Sequence, residues 1–417
     1  LGDVYKRQLL SEIEGGLLAP EGFVAAAGAA GIKPEGLDLL LLHSRVPAHA
    51  AATITSNRFR AAPTYVTERH VADGSARTII ANSGNANAAT GAEGMKNAER
   101  MAELAALETG VPVSEALVCS TGRIGVQLPM ARIEQAVPEL ARRLNRDCAD
   151  EAARAIMTTD TVPKQCAVEF EVGGKRARMG AIAKGAGMIC PNMATMLCFI
   201  ATDAAIEAEV LRQALRASVA RSFNCISVDG DMSTNDTVIC LANGHVGNEP
   251  IASTDGPGYD AFRAALDHVT QDLAKKIARD GEGASKFIEV RVTGRRLDIL
   301  KAFRGGPLIP LDVYLDARDL EVGRNSVQVQ YKKLVGGNWQ VVGFIPEKLD
   351  FTLVKLDRKR LRVEYSLLGS PARKYIRREP VITPAVVTVH GPRQKLVDLV
   401  HASVTIDVTD ADKDIVT

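Results

Sequence analysis

The sequence predicts an α/β (α+β) chain in which strands and helices interleave over the first 290 or so residues, followed by an all-β module. Three observations carry this. Short apolar runs bounded by Gly, Pro and Asn, such as Leu37 to Leu42 and Met193 to Ile200, have the length of strands rather than of helices. Between them lie longer segments with apolar residues three and four apart, as in Phe262, Leu266, Val269, Leu273 and Ile277. Beyond Phe287 the pattern turns to alternation, with Val327, Val329 and Tyr331, then Val341, Val342 and Phe344, Phe351 and Leu353, and Leu361, Val363 and Tyr365.

A chain of 417 residues with 46% hydrophobic content can bury a sizeable core in two or three domains. The net charge of +1 gives no general reason to expect nucleic acid or a membrane surface as partner. Charge is unevenly spread: 29 Lys and Arg stand against 34 Asp and Glu before Phe287, and 22 against 16 from there on. The seven cysteines (Cys119, Cys148, Cys166, Cys190, Cys198, Cys225, Cys240) are odd in number, lie before Phe287 and form no C-x-x-C pair. That argues against a disulfide framework and a zinc site, and fits a reducing cytoplasm. No apolar run approaches the roughly 18 residues of a membrane span, and no export signal is legible. Residues 1–8, L-G-D-V-Y-K-R-Q, resemble a translated sequencing adapter and are expected to stand outside the fold.

The elements follow in order. Leu17 to Lys33 reads as a turn-rich opening, Leu37 to Leu42 as a buried strand, and Thr53 to Arg60 and Ala76 to Ala81 as further strands. Asn82 to Gly91 lacks the G-x-G-x-x-G spacing that brings backbone against a pyrophosphate, so no nucleotide loop is expected. Met95, Ala98, Met101 or Ala102, and Ala105 mark an amphipathic helix stopped by Gly110. Glu115 to Cys119 is a short strand entering Ser120 to Gly125, whose glycines and hydroxyls suit either a plain tight turn or an anion-binding one. Pro129 opens a helix that Pro138 interrupts, and Asp147 to Met157 gives another that ends in Thr158 to Thr161. Cys166 to Ile182 is a hairpin turning at Gly173 and Gly174.

Lys184, Gly185, Gly187, Pro191 and Asn192 then lead to a strand that begins near Thr195 and is buried on both faces. Asp203 caps a helix carrying Ile206, Val210, Leu211, Leu215 and Val219. Ser227 to Thr237 places Asp229, Asp231 and Ser233 at alternate positions, but fails as a calcium loop. Its sixth position is Thr234 where Gly is required and its twelfth is Cys240 where Glu is required. The long helix with Phe262 to Ile277 as its stripe ends at Asp280 and Gly281.

The run K-G-A-G-M-I-C-P-N-M-A-T-M-L, Lys184 to Leu197, resembles the self-cleavage signature of the ornithine acetyltransferases. These enzymes of arginine biosynthesis move an acetyl group from N-acetylornithine to glutamate, and bifunctional members also take it from acetyl-CoA. The resemblance implies layered sheets flanked by helices and a cut between Ala194 and Thr195 that frees Thr195 as the acetyl-carrying nucleophile. It assigns Thr121 and Gly122 to an oxyanion hole, and Thr158 (Thr159 as alternate), Lys184, Thr195 and Glu282 to substrate. It also implies acetyltransferase parts at residues 9–194 and 195–292 that stay associated as a hetero-oligomer, a cytoplasmic location, small-molecule substrates, and no resident cofactor or metal.

Up to about Val292 the family's motifs occur in order; its later D-P-N-W-G-R-type segment and its C-terminal Asn and Thr or Ser are not found. Residues 293–417 instead resemble the YbbR-like domains, which are normally extracytoplasmic. V-R-V-T-G around Gly294 recurs as V-T-V-H-G around Gly391, and L-D-V-Y-L-D as I-D-V-T-D. The basic clusters Asp357 to Arg362 and Arg373 to Arg378 read as solvated strand faces rather than anion sites. The expectation is therefore of a joined polypeptide with little transferase activity. Two other classes compete with the acetyltransferase: an N-terminal-nucleophile amidase, and an interaction module whose enzyme part is vestigial.

Overall fold

The computed structural model describes residues 10–187, 196–226, 233–281, 288–294, 311–316, 320–333, 338–372 and 379–408. They form two units, the first built mainly from residues before Ile288 and the second mainly from Leu311 onward. In the first unit a six-stranded sheet runs in the order β1 (Leu10–Glu12), β7 (Lys164–Val172), β8 (Lys175–Lys184), β9 (Leu197–Thr202), β10 (Thr237–Ala242) and β4 (His49–Ile54). Its neighbours are antiparallel except β9 and β10, which are parallel. A four-stranded sheet runs β2 (Phe23–Gly28), β3 (Leu39–Ser44), β5 (Thr78–Asn85) and β6 (Ala116–Arg123), with only β5 and β6 parallel.

Period-2 alternation stacks these sheets. In β9, Leu197, Phe199 and Ala201 face the four-stranded sheet, where they meet Phe23, Leu40, Leu42, Ile79 and Leu117 together with α4 (Ala149–Ala155). Cys198 and Ile200 face the other way, into a core with α5 (Ala208–Ala220) and α6 (Pro257–Arg279). On the far side of the four-stranded sheet, Leu39, Leu41, Ile80 and Val118 pack against α1 (Ala62–His70), α2 (Gly91–Thr109) and α3 (Met130–Arg142). The unit is thus four layers, helix, sheet, sheet and helix, and the strand expected to be buried on both faces is so buried.

The local signals that worked were strong ones. Gly110 ends α2 in the left-handed conformation, at φ 67°. The β7–β8 hairpin turns at Gly173 and Gly174 as expected, and α6 carries its apolar stripe to Arg279.

Five expectations need correction. The strand expected at Thr53 to Arg60 is β4, His49–Ile54, and the opening expected to be turn-rich contains β2. Both strands are alanine-rich, a composition with little strand propensity, and are fixed by packing between layers instead. Pro138 does not interrupt α3. It is only half-buried and the carbonyl it leaves unpaired belongs to exposed Glu134, which water can serve. Asp203 caps no helix: its carboxylate accepts the Arg178 N–H at 2.7 Å and the Glu21 N–H at 3.0 Å, and α5 starts after Glu207. Finally, Ser120 to Arg123 continue β6 rather than forming a surface turn.

Among its described residues the second unit is all β apart from one short helix. Its strands are β11 (Glu289–Gly294), β12 (Leu311–Tyr314), β13 (Gly323–Gln328), β14 (Gln330–Lys333), β15 (Trp339–Ile345), β16 (Lys348–Leu353), β17 (Leu356–Leu368), β18 (Val386–Pro392) and β19 (Ala402–Asp407), with α7 (Arg393–Val397) before the last. Both copies of each repeated motif begin on strands, β11 with β18 and β12 with β19. Antiparallel pairs join β12 to β14 and β13 to β16, while β17 takes β18 antiparallel and β19 parallel. No helix among the described residues is long and apolar enough to cross a membrane.

Phe199 is fully buried between the two sheets. Phe199→Ala should destabilise the first unit by about 3–5 kcal/mol in urea unfolding, as large core truncations do. A loss below about 1 kcal/mol would show that the layers do not meet there.

Candidate active site

The ends of four strands converge on one polar cluster. Lys184 closes β8, directly opposite Leu197 of β9, and shares a strand face with Ile182, which packs between the sheets. Its ammonium is therefore interior, 1% exposed, and 3.9 Å from the buried carboxylate of Asp160. Asp160 also takes the Lys164 ammonium at 2.7 Å, the Gly185 N–H at 2.7 Å and the Thr158 N–H at 3.1 Å. Burial works against its charged form, but Lys184, Lys164 and the Gly185 N–H outweigh it and hold the carboxyl below its ordinary range. Burial lowers the Lys184 ammonium, with Asp160 and Asp236 opposing. Lys164 reaches on to Asp280 at 2.5 Å, which fastens the end of α6 to the 158–164 segment.

Thr121 and Gly122 lie at the end of β6, beside the end of β5. Gly122 has φ +134°, and a Cβ there would sit 2.3 Å from the Gly84 carbonyl carbon, so only glycine allows the two strands to approach. Ser83 ties this end to α4 by donating to the Ala155 carbonyl at 2.6 Å, and Lys33 donates to the Met157 carbonyl at 3.1 Å. Asn235 donates through one amide to the carbonyls of Ala86, at 2.6 Å, and Ser120, at 2.8 Å. The next residue, Asp236, accepts the Met196 N–H at 2.8 Å. Burial pushes the Asp236 carboxyl up to about 8, and its second oxygen has no hydrogen-bond partner among the described residues.

The structure thus gathers Thr121, Gly122, Thr158 and Lys184. Thr159 is exposed beside Thr158, which is half-buried. Ala194, Thr195 and Glu282 lie outside the described residues, as does most of Ser227 to Thr237. Their chain neighbours Met196 and Asp280 are both tied into the cluster. Asp160, Lys164, Asn235 and Asp236 were missed as individual residues. Asn235 and Asp236 fall in the Ser227 to Thr237 stretch, which the resemblance makes a polar turn beneath the active site, and no sequence pattern singles out Asp160 or Lys164. Among the described residues no group of His, Cys, Asp and Glu could hold a metal, and the six cysteines there are free thiols.

The ArgJ family profile matches residues 24–299. The arginine biosynthesis bifunctional protein ArgJ of Symbiobacterium thermophilum is 44% identical over 381 residues, covering 89% of this chain and 92% of that protein. The profile ends close to the expected end of the resemblance, whereas an alignment over 89% of the chain necessarily runs well beyond residue 299. The crystal structure of the arginine biosynthesis bifunctional protein from Bacillus halodurans shares 37% identity and a TM-score of 0.42, over 44% of this chain and 98% of that one. A YbbR-like protein from Streptococcus pneumoniae matches 30% of this chain and 67% of its own at 18% identity and a TM-score of 0.22.

The raised Asp236 carboxyl has a measurable sign. An ordinary carboxyl ionises near pH 3.9, so between about 4 and about 8 the folded chain holds this proton and the unfolded chain does not. Its contribution to stability should fall as pH rises through that window. Asp236→Asn should flatten the fall, as read from urea midpoints at pH 5, 6.5 and 8; an unchanged slope would mean that the carboxyl is ionised in the fold.

Proposed function

Because the chain belongs to the ArgJ family, we propose that this acyltransferase is a glutamate N-acetyltransferase of arginine biosynthesis, moving acetyl from N2-acetylornithine to glutamate through an acetyl-Thr195 intermediate. The observation that carries the reading is the pair Asn235 and Asp236. One residue holds the strand end bearing Thr121 and Gly122, and the next holds the amide that follows Thr195.

Thr is a poor nucleophile without an adjacent base. A free α-amino group, with pKa roughly 7.7–8.0, is such a base near neutral pH, and Thr195 gains one only if the bond from Ala194 is cut. In this reading the Thr195 Oγ attacks the Ala194 carbonyl, the bond shifts from nitrogen to oxygen, and water hydrolyses the ester, leaving pieces of 194 and 223 residues that remain associated.

The freed amine then accepts the Oγ proton as Oγ attacks the acetyl carbonyl of N2-acetylornithine. Ornithine leaves with a proton, and the glutamate amine takes the acetyl group from the Thr195 ester. Acetyl-CoA loads the same ester if its thiol leaves instead. Thr121 and Gly122 stabilise the oxyanion, a contribution of about 3 kcal/mol per donor in comparable sites. Lys184 meets a substrate carboxylate beside the Thr158 hydroxyl, and Glu282 receives the ornithine ammonium.

Three outcomes test this reading. Intact mass should show the wild-type chain cut before Thr195 and Thr195→Ala uncut, and a Thr195→Ala protein cleaved at the same bond would remove the assignment. Ornithine release from N2-acetylornithine should depend on glutamate, whereas release without glutamate identifies an amidase that passes the acyl group to water. Lys184→Met should weaken both substrates by about 1.5–3 kcal/mol, roughly ten- to a hundredfold in KM, as loss of a charged hydrogen bond does. Unchanged KM for both would take Lys184 out of the site.

A further inference from the structure

Two consecutive residues, Asp236 and Thr237, grip the chain just after Thr195. The Met196 N–H is donated to the Asp236 carboxyl at 2.8 Å, and the Met196 carbonyl accepts the Thr237 N–H at 3.1 Å. Met196 is 3% exposed and Asp236 fully buried, so water does not compete for either bond. Asp236 is itself held: its carbonyl accepts the Thr55 N–H at 2.9 Å, and Thr237 begins the parallel pairing of β10 with β9 at Leu197. One residue earlier, the Asn235 amide spans to the Ala86 and Ser120 carbonyls on the other sheet. The short run from 235 to 237 therefore bridges two points that acyl transfer must keep in register, the residue after Thr195 and the residue before Thr121.

We propose that Asp236 is a positioning residue which, with Asn235 as its other arm, sets the distance between the Thr195 nucleophile and the Thr121–Gly122 oxyanion site. The proposal rests on the self-cleaving transferase reading. Asp236 acts as a hydrogen-bond acceptor through the Met196 amide and not as a charge. Burial keeps it a neutral acid near neutral pH, so asparagine, with the same shape and the same acceptor oxygen, can replace it. Acyl transfer is sensitive to such placement because an error near 1 Å at the reacting atoms costs on the order of a hundredfold in rate.

The test compares Asp236→Ala, Asp236→Asn and Asn235→Ala in the full chain. Intact mass gives the cleavage half-time, and the cleaved fraction is assayed for glutamate-dependent ornithine release. Asp236→Ala and Asn235→Ala should slow cleavage tenfold or more and lower kcat tenfold or more, with both KM values within threefold of wild type. Asp236→Asn should restore both rates to within threefold.

Rates for Asp236→Ala within threefold of wild type overturn the proposal, as does an Asp236→Asn protein that behaves like Asp236→Ala. Should the alanine variants fail to fold, hydrogen exchange at the Met196 amide of the wild-type protein decides. Slow exchange that persists in Asp236→Asn is required, and exchange within seconds in the wild type overturns the pin. A wild-type chain that neither cleaves nor transfers fails before any variant is compared. That outcome overturns the transferase reading itself, and is thereby told apart from a failure of Asp236 alone.

Discussion

The first unit is organised around one buried carboxylate. Asp160 has no exposed side-chain surface, and two ammonium groups and two backbone N–H groups converge on it from two segments of the chain. Burying even one unpaired ion costs several kcal/mol, so none of these charges tolerates loss of its partner. The consequence is positional. The 158–164 segment, the end of β8 and, through Lys164 and Asp280, the end of α6 cannot move independently without uncovering a charge. Desolvated ion pairs are weak evidence for net stability, and the role of this one is registration. It fixes where Thr158 and Lys184 stand relative to each other and where α6 delivers the chain toward residue 282.

The layers explain why the cluster forms at this edge. Each sheet contains one parallel pair, β9 with β10 and β5 with β6. Asn235 joins the entry of the first pair to the exit of the second. Side chains at this edge, Lys184 included, point into the space between the sheets, where apolar packing from Phe199, Leu197 and Leu117 excludes water. Electrostatic contacts in such a space are stronger than at the surface, and so are the penalties for leaving one unmade.

The sequence disclosed local rules and concealed non-local ones. The hairpin at Gly173 and Gly174, the stop at Gly110 and the stripe of α6 each depend on residues within a few positions of one another, and each was legible. Asp203 was misread because its partners, the N–H groups of Arg178 and Glu21, lie far away in the chain, and they outcompete a cap that spacing alone suggested. The alanine strands β2 and β4 were misread for a related reason, since only the facing layer makes alanine a strand residue there. In the site, Thr121, Gly122, Thr158 and Lys184 were singled out through resemblance. Asp160 and Asp236 were not, because what makes them matter is the company they keep: Asp160 meets Lys184 from 24 positions away, and Asp236 meets Met196 from 40.

The geometry of Lys184 bears on how the site can accept an acid. Its contact with Asp160 is 3.9 Å, beyond hydrogen-bonding distance, whereas Lys164 supplies that carboxylate with a short bond at 2.7 Å. Asp160 is thus satisfied chiefly by Lys164. An ion pair at that separation is an attraction of roughly 4 kcal/mol at an effective dielectric near 20, before any desolvation. It holds the Lys184 ammonium in place without demanding a particular donor direction. Any carboxylate approaching Lys184 would therefore compete with no short bond from Asp160 and need not pull that carboxylate out of its own network. Two lysines share one buried acid unequally, and the inequality leaves the cation beside β9 without a short bond to Asp160.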